Sequence, residues 1–273
     1  VDIKLLSPLW GHDHLPAQVF LDQVRSAGYH GIDTWVPADK VYRHTMYDYI
    51  HRHGMALVTH QHNADGSTFA KFRQSFVRNL HRCAEASPLL INSHTGKDYF
   101  SIQQHIDLID TAEAFSAKTG IAVAHETHRG RLGYCPQMME MLFALRSAFC
   151  VTADLSHWVC VTESMLENFT AAVDETIQRS RHIHARVGFE QGPQVSDPRA
   201  SEYKYALDRF LGWWDSIVSV NRAAGRDTLT ITTEFGPPPY MPVTSFAEGP
   251  SADQFELNVF MKDLLYARYV LVT

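Results

Sequence analysis

Ile121-Ala122-Val123-Ala124-His125-Glu126-Thr127-His128 is the stretch whose reading decides the fold. Side chains alternate across a β-strand, so Ile121, Val123 and His125 share one side and Ala122, Ala124 and Glu126 the other. Larger aliphatics suit the layer beneath surrounding helices, and small residues suit a crowded barrel lumen. By that parity Glu126 points inward at the C-terminal end of its strand, and His125 outward. The run 228–234 repeats the pattern, with Leu229 and Ile231 alternating with Thr230, Thr232 and Glu234.

Working outward, β-like runs alternate with amphipathic helical stretches eight times. Strands are expected at 3–9, 31–36, 55–61, 89–93, 121–126, 150–154, 181–186 and 228–234. Helices are expected at 15–27, 38–53, 67–86, 100–119, 136–149, 165–180, 200–224 and 253–270. Gly28, Gly54, Gly120 and Gly225 stand where left-handed helix caps belong, and Pro16 and Pro136 fall in first turns. Strict alternation implies a parallel sheet with helices outside. Eight units in 273 residues favour a single (β/α)8 TIM barrel over 1–273, an α/β fold, rather than an open doubly wound sheet. No glycine-rich dinucleotide fingerprint follows the first strand and no P-loop occurs. The longest connections, 187–199 and 235–252, are rich in Gly and Pro and lie on the side where barrels build substrate pockets.

Composition narrows the partners. Hydrophobic residues make up 45% and charged residues 20%, an ordinary globular balance. A net charge of -6 argues against nucleic acid or an anionic membrane as partner. Cys83, Cys135, Cys150 and Cys160 form no C-x-x-C pair and read as reduced thiols, which with the absence of a signal-like start leads to an expected cytoplasmic location. A homodimer is compatible with the sequence.

Four successive strand ends carry groups able to hold a metal. Beside Glu126 and Glu234, the sixth strand turns Thr152 and Asp154 to one face, and the seventh His182, His184 and Arg186. Three carboxylates meeting in one barrel mouth would repel one another unless a cation stood among them. One divalent ion answers that need. Oxygen ligands with one imidazole place Mn2+ and Mg2+ ahead of Zn2+, with Co2+ also compatible. Histidines crowd the same end: ten of the sixteen, namely His12, His14, His60, His62, His94, His125, His128, His157, His182 and His184, stand at or just past a strand end. His12, His62, His94, Trp10 and Arg186 are the candidates to touch substrate. Trp35, Trp158 and Tyr99 also fall near strand ends.

His125-Glu126-Thr127-His128-Arg129-Gly130, Asp154-Leu155-Ser156-His157, His182-Ile183-His184 and Glu234-Phe235-Gly236, in that order, resemble the xylose-isomerase-like superfamily of metal-dependent barrels. That group includes sugar phosphate isomerases/epimerases, ketose 3-epimerases and the endonuclease IV type. The resemblance implies that Glu126 and Glu234 are metal ligands doubling as an acid–base pair. It implies further that Asp154 and His184, rather than His182, complete the metal shell, and that His157 contacts substrate oxygens. Two departures stand out. The ketose epimerases carry a second glutamate where this chain has Leu132, and an arginine where it has Glu190.

The expected function is therefore metal-dependent isomerisation or epimerisation of a sugar, sugar phosphate or related hydroxy-ketone through a metal-stabilised ene-diolate. A dehydratase or lyase would use the same site and the same first proton abstraction. Multi-zinc phosphodiester cleavage would draw His60 or His62 and His94 into extra ligand sets. A non-catalytic binding barrel would leave the four ligands structural.

Overall fold

The computed structural model describes residues 1–243 and 249–271. Part of the expected 235–252 connection, 244–248, lies outside the described residues. Eight strands, β1 (Asp2–Pro8), β2 (Gly31–Trp35), β3 (Ala56–Gln61), β4 (Leu90–Ser93), β5 (Val123–Glu126), β6 (Cys150–Ala153), β7 (Ser180–Ala185) and β8 (Thr228–Thr233), pair in parallel in chain order. β8 closes on β1 from Asp2↔Thr228 to Leu6↔Thr232, making the barrel expected from strand–helix alternation.

Lumen parity follows the sequence. Leu6, Val58, Leu90 and Ala124 form a cluster of their own, with Ala56, Ala122 and Cys150 against it. Two residues further along their strands stand His60, Asn92, Glu126 and Thr152, so an apolar floor lies under a polar layer. His125 turns outward, its ring 5.5 Å from Phe149 and its Nδ1 2.7 Å from Thr95 Oγ1.

The helices are α1 (Ala17–Ser26), α2 (Lys40–Arg52), α3 (Phe69–Ala84), α4 (Ile102–Thr119), α5 (Pro136–Leu145), α6 (Leu155–Thr162), α7 (Thr170–Arg179), α8 (Lys204–Ala223) and α9 (Gln254–Tyr269). Gly28, Gly54, Gly120 and Gly225 all have positive φ, as left-handed caps require. Two expectations change. α5 stops four residues short of 149, where Arg146 goes extended and pairs with Asp110. The helix expected at 165–180 is α7, which starts at Thr170, and an unexpected helix, α6, starts directly after β6. The four cysteines are free. No described helix is long and apolar enough to cross a membrane.

Candidate functional site

The C-terminal ends of β5 to β8 bring Glu126, Asp154, His184 and Glu234 together, one ligand atom from each lying within 4.8 Å of all the others. Each is held from behind. Asn92 Nδ2 donates to Glu126 Oε2 at 2.7 Å, and His94 Nε2 stands 2.9 Å from the same oxygen. Glu126 Oε1 thereby faces His184 Nδ1 at 3.5 Å. Glu234 Oε2 lies 2.9 Å from that Nδ1. Gly236, two residues on, is bracketed by the Gln194 side chain, which accepts from its N–H at 2.7 Å and donates to its carbonyl at 3.2 Å. Asn258 does the same for Phe235. The loop after β7 and helix α9 thus fix the β8 end.

Asp154 has two structural duties. It caps α6, accepting from Ser156 N–H at 3.1 Å, and its Oδ2 takes the guanidinium of Arg186. Arg186 is 2% exposed, reaches Glu234 Oε2 at 3.3 Å, and covers the rings of Tyr240 and Trp10 at 4.8 and 5.9 Å.

Electrostatics explain the strain on these groups. Burial pushes Asp154 up to about 6, against the pull of Arg186. Burial would raise Glu126 too, but His94 and His184 hold it well below the usual carboxylate range. Glu234 is likewise lowered, His184 and Arg186 outweighing burial. His184 is the converse: burial disfavours its charge, yet Glu234 and Glu126 hold it well above an ordinary histidine. Burial lowers His60 and His94, and carries His62 and His128 down to about 4.

The donor set fits a divalent ion. Ligands about 2.1 Å from an ion in octahedral geometry stand about 3 Å apart. His184 Nδ1 and Glu234 Oε2 have that spacing, 2.9 Å, and both atoms are buried. Among the described residues lining the cavity, one permanent cation, Arg186, shares the wall with the carboxylates of Asp33, Glu126 and Glu234 while also bound to Asp154. A second group, His60, His94 and Glu126, also offers three ligand atoms, as does Glu126 with His128 and His157.

The cavity above this cluster is about 210 Å³. Trp10, Trp35 and Tyr240 give it aromatic walls, and His60, His62, His94 and His128 line it with imidazoles. Of the substrate candidates, Trp10, His62, His94 and Arg186 are on the wall. His157 is fully buried beside it, its ring 4.0 Å from His128 and its Nε2 3.0 Å from Arg186 Nη2. His12 is not at the cavity: it sits between Phe20 and Phe255, both 5.6 Å away. Among the other aromatics near strand ends, Tyr99 is exposed and Trp158 donates to Gly133 O inside the core. Leu132 is packed in the core and Glu190 accepts from Tyr205, so neither faces the cavity. Four wall residues escaped sequence reading: Pro8, Asp33, Thr34 and Tyr240. Inward parity on β2 was the available signal for Asp33; Tyr240 lies in irregular chain with no period to follow.

No protein-family model matches the sequence, and no curated protein matches it. Solved structures match along nearly its whole length. A D-tagatose 3-epimerase-like protein is 12% identical with a TM-score of 0.63, covering 98% of this chain and 97% of its own. The 3-keto-D-glucoside 4-epimerase from E. coli is 10% identical with a TM-score of 0.62, covering 97% and 100%. A xylose isomerase-like TIM barrel protein from Mycobacterium smegmatis in complex with magnesium is 11% identical with a TM-score of 0.56, covering 96% and 94%. At these identities the likeness is one of fold, and it falls within the group of barrels that the sequence motifs resemble.

Proposed function

We propose that the chain is a divalent-metal-dependent isomerase or epimerase of a sugar, sugar phosphate or related hydroxy-ketone, with Glu126 and Glu234 as its acid–base pair. One observation carries this reading: two carboxylates from β5 and β8 approach the same His184 nitrogen, at 3.5 and 2.9 Å, and both line one small cavity. A carbon acid held between them can lose a proton to one carboxylate and regain one from the other. Glu126, Asp154, His184 and Glu234 would hold the ion, Mn2+ by preference. When bound, the ion would polarise the substrate carbonyl and offset the charge that develops beside it.

The remaining wall suits a polyol. Imidazoles kept neutral by burial offer both a donor and an acceptor to hydroxyl groups. Trp10, Trp35 and Tyr240 present apolar rings to C–H faces. Epimerases and a magnesium-bound protein among the solved structures of this fold support the reading by analogy alone.

The test is proton exchange. Mn2+-loaded protein is incubated in D2O with aldoses, ketoses and their phosphates, and deuterium beside the carbonyl is followed by NMR. Glu126→Gln and Glu234→Gln are each expected to lower turnover by about 10²–10⁴-fold with the melting temperature retained. Full activity in both variants would remove the assignment. A product lighter by one water would make the enzyme a dehydratase at the same site.

The His60, His94 and Glu126 group favours one other reading, a multi-zinc phosphodiesterase. Three zinc ions per chain with cleavage of a phosphodiester would replace the first reading. One ion with proton exchange retains it.

A further inference from the structure

Asp33 is the middle residue of β2, on the cavity wall, 5% exposed. Its Oδ2 lies 3.1 Å from His184 Nε2, 3.1 Å from His182 Nε2 and 3.0 Å from Thr232 Oγ1. Neither β7 nor β8 is hydrogen-bonded to β2, so this one oxygen ties strands together across the lumen.

An ionised carboxylate only accepts, so each group facing Oδ2 donates to it. His184 therefore carries a proton on Nε2, and its other nitrogen, Nδ1, is the one turned to Glu126 and Glu234. His182 also directs its Nε2 at Asp33, while its Nδ1 stands 2.7 Å from Thr230 Oγ1 and 3.0 Å from the Thr230 carbonyl oxygen. His182 is thereby occupied on both nitrogens and His184 on one. That accounting separates two histidines which share a strand face and differ in no local sequence property.

We propose that Asp33 is the positioning residue of the site, holding His184 by its Nε2–H so that Nδ1 is presented to the Glu126–Glu234 cluster. An imidazole can offer either nitrogen to an ion, and the hydrogen bond made by the other nitrogen decides which. Asp33 makes that choice and orients the ring; Thr232 and His182 hold Asp33 in turn. The metal side of this role rests on the proposed function above. The hydrogen bond to His184 does not.

The experiment has two readouts, both on the intact chain. Isothermal titration with Mn2+ compares wild type with Asp33→Asn, and 15N-resolved NMR follows the Nε2–H resonance of His184, identified by its absence in His184→Asn. In wild type that proton is expected to exchange slowly and lie downfield. In Asp33→Asn it is expected to be lost or shifted, with Mn2+ affinity falling about 10–100-fold while the melting curve stays cooperative. Unchanged affinity together with an unchanged His184 Nε2–H resonance overturns the proposal. Should Asp33→Asn fail to fold, Thr232→Val is read by the same signals. A loss of about threefold or more in affinity with a moved resonance supports the role, and no change in either overturns it. Wild type that binds no divalent ion removes the metal reading, and the His184 resonance still decides whether Asp33 holds the ring.

Discussion

Glu126 is the residue on which most of the site converges. Asn92 and His94 occupy its Oε2, so Oε1 is the oxygen left to face His184. Removing Asn92 would leave a buried carboxylate short of a donor. Hydrogen bonds to charged groups contribute about 1.5–3 kcal/mol. Asn92→Ala is therefore expected to lower unfolding free energy by about 2 kcal/mol, read from denaturant melts. Arg186 poses the sharper question of what neutralises Asp154 and Glu234. Breaking a buried ion pair on one side costs about 3–5 kcal/mol. Arg186→Leu is expected to destabilise by that order in chelator, and millimolar Mg2+ or Mn2+ is expected to restore part of the loss. Melting temperatures with and without the ion check this; no ion-dependent recovery would mean that the guanidinium alone balances the carboxylates.

At the scale of elements, the parts most legible in the sequence were those with a period. Every expected strand is present, because alternating parity and a following helical stretch mark each one, and four glycine caps close helices where φ turns positive. Glu126 and Glu234 could be turned inward from Ala124 and Thr232 alone. α6 was missed because it is short and begins at a residue also read as a site ligand: Asp154 is both its cap and a member of the cluster. Contacts across the lumen were not legible, since Asp33 meets His182 and His184 about 150 residues away and no local pattern records that. Packing of the rim was equally hidden. A Cβ on Gly236 would come within 2.1 Å of the Trp10 ring, so the β8 loop must pass flat beneath that indole. Gly236→Ala is expected to displace Trp10, cost about 1–3 kcal/mol as overpacking does, and raise KM more than it lowers kcat. A change in tryptophan emission should accompany it, and unchanged emission with unchanged KM would place the indole away from substrate.

Over the whole molecule, the crowd of buried histidines sets a pH dependence. His105 on α4 is fully buried, with neither ring nitrogen partnered, and burial takes it down to about 4. Burial likewise takes His125 to about 3 and lowers His12. In the unfolded chain each would titrate near 6.5. Between that value and the lower folded one, the unfolded state binds a proton that the folded state does not, so stability falls as pH falls. Two groups work the other way. Asp154, raised to about 6, contributes stability at low pH that is lost as pH rises through that value, and His184, raised well above 6.5, behaves in the same sense. They are outnumbered by lowered histidines, among them His62 and His128 at about 4. The melting temperature is therefore expected to drop steadily from pH 7 to pH 4.5, before most carboxylates protonate. His105→Met, which removes the titrating ring while retaining an apolar side chain, is expected to make that slope shallower. A melting temperature that holds constant or rises over the same range would show that these histidines already carry protons in the folded barrel.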